Sequence, residues 1–210
     1  MAPFLLDPAF VFGYDVVFKF IFVIITAAVS YYSFKFSKFS GSRKSFLFAV
    51  SFSLLSASYL VQGIFGIGKF SQGLGFLVAY TIGIYLHLLL FAAATGLLSY
   101  INIGTKNKKT LALILLLSII PIVLSPNSIY IGFVIVSLLL FFISVDYLTD
   151  YARGKKSKSL IISIAFFLLF ASHIHFILAV NHILFYAVGN FLELIAYLMI
   201  LINLIIAITK

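Results

Sequence analysis

The chain contains no cysteine and no tryptophan, four prolines, and only five acidic residues among 210. Without cysteine there is no disulfide, no iron–sulfur cluster, no thiolate metal site and no cysteine nucleophile. Charged residues of both signs make up 9% of the chain. A soluble domain carries roughly 25%, so a water-facing surface cannot be assembled from this inventory. The opening Met1-Ala2-Pro3-Phe4-Leu5-Leu6-Asp7-Pro8 lacks the basic start of a secretory signal, and the first apolar stretch therefore reads as a retained span.

What is present is apolar: 64% hydrophobic residues, 25 phenylalanines and a mean hydropathy of +1.25. A bilayer span needs about 20 mostly apolar residues. Seven such runs are separated by charged or turn residues, over approximately 10–34, 45–68, 76–101, 110–124, 129–148, 159–180 and 183–209. The pattern predicts an all-α integral membrane bundle of seven transmembrane helices forming a single domain over 1–210. The fourth run is the shortest and holds Pro121, which a bundle helix tolerates when neighbours satisfy the freed carbonyl. The phenylalanines fit lipid-facing and interhelical packing. Gly63, Gly66 and Gly68 precede Lys69 without the strand–helix context of a phosphate loop, and read as an outer turn.

Basic residues set the direction. Lys35, Lys38, Arg43 and Lys44 follow the first run, Lys106, Lys108 and Lys109 the third, Arg153, Lys155, Lys156 and Lys158 the fifth, and Lys210 the seventh. The alternate connections hold only Lys69, and Lys19 lies inside a span. The asymmetry predicts a multi-pass protein of the cell membrane with its N-terminus outside, its C-terminus in the cytoplasm and its basic loops against anionic lipid head groups. No basic stripe with interleaved aromatics is available for nucleic acid, so none is expected as a partner. Association with a second copy or within a larger membrane complex fits a chain with such short loops.

Two stretches recur in order. Phe52-Ser53-Leu54-Leu55-Ser56-Ala57-Ser58-Tyr59 matches Phe166-Phe167-Leu168-Leu169-Phe170-Ala171-Ser172-His173. Tyr80-x-x-Gly83-x-x-Leu86-His87-Leu88 matches Tyr186-x-x-Gly189-x-x-Leu192-Glu193-Leu194. They predict a parallel 3+1+3 repeat, with repeat one over about 10–101, a linker helix over about 110–124 and repeat two over about 129–209. In layout and orientation this resembles the SWEET and PQ-loop sugar or amino-acid carriers. The chain nevertheless has no Pro-Gln pair and lacks prolines in spans one, two, five and six. Seven-helix rhodopsins share the orientation, but span seven has no lysine to carry retinal. No family is assigned.

Ionisable residues inside spans are costly and mark functional sites. Lys19, Tyr59, His87, His173 and Glu193 lie about 14 to 16 residues from the cytoplasmic ends of their spans, a shared level roughly 21–24 Å deep at about 1.5 Å per residue. The repeat predicts that Tyr59, His87, His173 and Glu193 point into the bundle. Asp15 and Lys19 are spaced for an ion pair within one helix. Glu193 must be protonated, paired with Lys19 or bound to a cation. His175 faces away from His173, and His182 falls in an outer connection.

The composition favours a small carrier, channel or solute-sensing bundle in which Tyr59, His87, His173 and Glu193 line a midmembrane site and Lys19 and Asp15 set its charge. One alternative is a b-type haem or redox-complex subunit, with His87 and His173 as axial ligands. Another is a metal site formed by these histidines and Glu193. A third is a non-catalytic accessory subunit. No nucleophile–base pair occurs in a recognisable context, so catalysis is not expected.

Overall fold

The computed structural model describes residues 8–67, 74–155, 157–179 and 183–208. They form seven helices: α1 (Pro8–Ser40), α2 (Arg43–Ile67), α3 (Leu74–Ile103), α4 (Lys108–Leu124), α5 (Ser128–Gly154), α6 (Ser157–Leu178) and α7 (Ile183–Ile208). Among the described residues there is no strand. In lipid every backbone N–H and C=O must be bonded within the segment, which is why uninterrupted apolar runs become helices. All but α4 are long and apolar enough to cross a membrane, and the chain is a multi-pass helical bundle. At 17 residues α4 extends about 25 Å, near the lower limit for a span.

Helix ends follow local chemistry. The first and fifth helices run on to Ser40 and Gly154, past the 34 and 148 that hydropathy alone suggests. Their charged final turns keep helical geometry in the polar layer until a left-handed residue stops them. Gly41, at φ +62°, closes α1, and Lys155, at φ 47°, closes α5. Asn107 starts α4, its side chain accepting from the Lys109 N–H at 2.9 Å.

Six helices pack in a closed ring in the order α1, α2, α3, α5, α6, α7 and back to α1, while α4 lies outside against α3 and α5. The order repeats after half a turn of the ring. The first two helices of each half are joined in matching ways. Ser30 Oγ donates to the Ala49 carbonyl at 2.9 Å, and Ser144 Oγ donates to the Ser163 carbonyl at 2.9 Å. Both contacts span 19 residues of sequence. Where α2 meets α3, a methyl group on Gly83 would lie 2.5 Å from Phe65 Cβ. Where α6 meets α7, one on Gly189 would lie 2.6 Å from the Phe176 ring. The approach at Gly83, against an atom fixed to the α2 backbone, needs glycine.

The outside of the bundle is apolar, as Leu116, Leu117, Val123, Leu184, Phe191 and Ile202 illustrate, whereas charged and polar side chains are buried within it. This reverses the distribution in a water-soluble protein and suits a lipid surround. Several buried hydroxyls bond the preceding turn, as Thr26 does to Phe22 O and Thr95 to Phe91 O.

Candidate functional site

The six residues singled out by sequence converge. Asp15, Lys19, Tyr59, His87, His173 and Glu193 are each at most 7% exposed, and all face the interior of the ring. All except Asp15 line one enclosed cavity of about 20 Å³, together with Gln62, Phe133, Phe176 and Tyr186. That space is about one water molecule.

Lys19 and Asp15 form the expected ion pair, at 3.7 Å. The Lys19 ammonium also donates to Asn190 Oδ1 at 3.2 Å, and Asn190 Nδ2 donates to the Tyr186 carbonyl at 3.1 Å. The Tyr186 hydroxyl donates to Asp15 at 2.5 Å, closing a loop between α1 and α7. Four rings, those of Phe22, Tyr59, Phe176 and Tyr186, have their centroids 5.5–5.7 Å from Lys19 Nζ. An ammonium surrounded by ring faces keeps part of the stabilisation it loses with its water.

Glu193 is not paired with Lys19, one of the partners the sequence left open for it. It accepts a short hydrogen bond from the Tyr59 hydroxyl. With that proton committed, Tyr59 accepts from the Tyr197 hydroxyl at 2.7 Å. The other carboxylate oxygen, Glu193 Oε2, is buried without a partner, as is Gln62 Oε1.

The histidines are fixed in matching tautomers. Ser58 Oγ donates to the His87 carbonyl at 2.8 Å, so the 2.7 Å contact between Ser58 Oγ and His87 Nδ1 takes its proton from the ring. His173 Nδ1 lies 2.9 Å from the Leu169 carbonyl, which can only accept. Each neutral ring therefore keeps its proton on Nδ1, which leaves Nε2 as its acceptor, and both rings line the cavity. Two histidine rings, a carboxylate and a side-chain amide thus line a space the size of one water, with Lys19 on the same wall. Glu193 Oε2 and Gln62 Oε1 are the acceptors left without a partner.

Haem does not fit. The Tyr59 ring lies 5.5 Å from His87, and the Phe91 ring lies 5.6 Å from His87 and 4.9 Å from His173. These rings fill the space a macrocycle would need. Among the described residues, no group of three His, Asp or Glu side chains is placed to hold a metal ion. His175 bonds the Ala171 carbonyl at 2.8 Å and does not line the cavity. His182, Lys69, Lys156, Lys210 and the Tyr80 side chain lie outside the described residues.

Sequence reasoning missed four participants: Ser58, Tyr197, Phe133 and Phe176. Tyr197 was findable, because it stands one turn beyond Glu193 on the same face. Ser58 recurs as Ser172 in the repeated stretch, a signal that was there to be read, whereas an apolar phenylalanine carries none among 25.

Two larger cavities flank the polar centre. One, of about 360 Å³, opens toward the basic ends of the helices and is lined by Lys44, Phe48, Tyr147, Lys158, Ile200 and others. The other, of about 580 Å³, lies toward the opposite ends, between Tyr85, the 126–130 segment, Phe133, Phe176 and Ile177. Phe133 and Phe176 line both this cavity and the polar centre. On the basic side buried core residues intervene, among them Phe52, whose ring lies 4.7 Å from Phe48 and 6.4 Å from Tyr197, and Phe166, stacked on Tyr147. No family model, curated protein or solved structure matches the chain.

Proposed function

We propose that this chain is a small proton-coupled carrier of the cell membrane. In this reading the N-terminus lies outside, the C-terminus is cytoplasmic, the basic loops rest on anionic head groups, and the two halves of the ring arose by duplication. The observation that carries the reading is the position of the polar centre between two cavities that approach from opposite ends of the bundle. Phe133 and Phe176 line both the cavity away from the basic ends and the centre, and a packed apolar core with Phe22, Phe52 and Phe166 in it lies between the centre and the cavity at the basic ends. Passage between a cavity and the centre requires these buried rings to repack together with their helices, the collective motion a carrier cycle supplies.

The coupling chemistry follows from the acceptors. His87 Nε2, His173 Nε2 and Glu193 Oε2 are three proton acceptors around one small space, with Lys19 as a fixed positive charge beside it. A proton arriving from one side is taken by this group and released to the other once the aromatic divide has changed. Tyr59 and Tyr197 hold Glu193 in place by hydrogen bonds and need not transfer the proton.

Duplication is supported by features beyond the sequence match. Lys19 and Phe133 lie equally far upstream of the two matched stretches, and both line the centre. Gln62 and Phe176, one turn past Tyr59 and His173, do the same. The two 19-residue serine links and the ring order agree with the same correspondence.

The test is uptake into proteoliposomes of a panel of labelled amino acids, hexoses and small cations under an imposed pH gradient. At least one solute is expected to be concentrated by the gradient, and Glu193→Gln to remove the concentrative part while the protein remains folded. Uptake no greater than in protein-free liposomes, or gradient-driven uptake unchanged in Glu193→Gln, contradicts the proposal.

A further inference from the structure

The cavity on the basic side has a charge pattern of its own. The second residue of α2, Lys44, and the second residue of α6, Lys158, stand at its edge, equally far upstream of the two matched stretches. Across from them, Asp146 and Asp150 lie one turn apart in the last part of α5. Among the described residues the only ion pair within 4.0 Å is Lys19–Asp15, so none of these four charges has a described opposite charge in contact, although Lys44 and Arg153 act on Asp146 through space. Two further polar atoms in the lining are buried without a hydrogen bond: Ser33 Oγ, on a side chain that is 1% exposed, and Asn102 Nδ2. Burying unmet polar atoms beside a cavity is costly unless something in the cavity bonds them. The remaining wall is apolar, from Phe48, Ile162, Ile200 and Leu204.

We infer that this cavity binds a small zwitterion carrying an ammonium, an anionic group and an apolar portion. The anionic group sits between Lys44 and Lys158, where the N-terminal ends of α2 and α6 add their positive dipoles. The ammonium sits at Asp146 and Asp150, and the apolar portion lies against Phe48 and Ile200. Two cations facing two carboxylates leave the empty cavity without net charge, so a ligand of either sign alone brings one unmatched charge into it, and a zwitterion does not. A volume of about 360 Å³ suits a molecule of amino-acid size. A free amino acid and the head group of an aminophospholipid share this chemistry. The inference does not depend on transport, because binding reads out without flux.

The experiment is equilibrium binding of labelled leucine to the full chain in nanodiscs of phosphatidylglycerol, which offers no competing zwitterion. Leucine is expected to bind saturably. Its single-charge analogues, isoamylamine and 4-methylpentanoate, should bind at least tenfold more weakly. The paired substitutions Asp146→Asn with Asp150→Asn, and Lys44→Gln with Lys158→Gln, should each weaken leucine at least tenfold at unchanged thermal midpoint. If either double variant fails to fold, the analogue series on the unaltered chain decides. Dihexanoyl phosphatidylethanolamine serves as the second probe. Tighter binding of this lipid than of leucine assigns the site to a head group, and the reverse assigns it to a soluble solute. The inference is overturned if either single-charge analogue binds as tightly as the zwitterions, or if neither zwitterion binds the folded protein.

Discussion

Helices α1–α3 bring Lys19, Gln62 and His87 to the centre of the ring, whereas the matching positions of α5–α7 bring Phe133, Phe176 and Glu193. The scaffolds of the two halves are nearly interchangeable: a serine link between the first two helices, a glycine contact between the last two, and the same order around the ring. The chemistry they present is not. The first half supplies the cation and the amide. The second half supplies the carboxylate and the two rings that separate the centre from the cavity away from the basic side. The contrast teaches that the small residues at the seams between helices match in the two halves, whereas the residues projecting to the axis differ.

The contrast can be broken most strongly at Lys19. Lys19→Ala leaves Asp15 buried with only the Tyr186 hydroxyl, and is expected to cost about 3–5 kcal/mol in reversible unfolding in mixed micelles. Adding Asp15→Asn to it should recover a large part of that loss. A single Lys19→Ala variant as stable as the parent would show that the pair contributes nothing.

The two glycines sharpen the comparison. At Gly83 the obstacle to a methyl group is Phe65 Cβ, an atom fixed to the backbone of α2. At Gly189 the obstacle is the far edge of the Phe176 ring, which can rotate. Gly83→Ala should therefore cost about 1–3 kcal/mol and Gly189→Ala less than about 1 kcal/mol. Equal losses would mean that Phe176 is held as rigidly as a backbone atom. The smallest expected effects are at the serine links. Ser30→Ala and Ser144→Ala should each cost about 0.6 kcal/mol, a typical value for an interhelical hydrogen bond in a membrane protein. Ser144 both gives and receives a bond with Ser163, so a double-mutant cycle on that pair should show coupling.

How much of this was legible in the sequence differs between scaffold and site. Helix number, the polar layer and the inward direction of Tyr59, His87, His173 and Glu193 were readable, because hydropathy and period are local properties. The ion pair of Asp15 and Lys19 was readable for the same reason, being a contact within one helix. The partner of Glu193 was not. It depends on which helix presents a partner to α7 at that depth, and the depth count placed Lys19 and Tyr59 at the same level. The ring order puts α1, with Lys19, beside α7, yet Glu193 reaches across the interior to Tyr59 on α2, which is a tertiary fact. The ends of α1 and α5 were misjudged because hydropathy marks the edge of the membrane and not the end of the helix. The cavity at the basic ends was invisible, since Asp146 and Asp150 carry no pattern in the sequence and meet Lys44 and Lys158 only once α2, α5 and α6 are brought together.

The absence of cysteine makes one measurement unusually clean. A cysteine placed at Gln62, on the wall of the polar centre, is the only thiol in the protein. Sealed vesicles carrying Gln62→Cys are exposed to a small, membrane-impermeant thiol reagent from one side at a time, under pH gradients of either direction. Alternating access predicts labelling from both sides, with reversal of the gradient raising one rate and lowering the other. Labelling from neither side, or from one side only under every gradient, would contradict a carrier built around this centre.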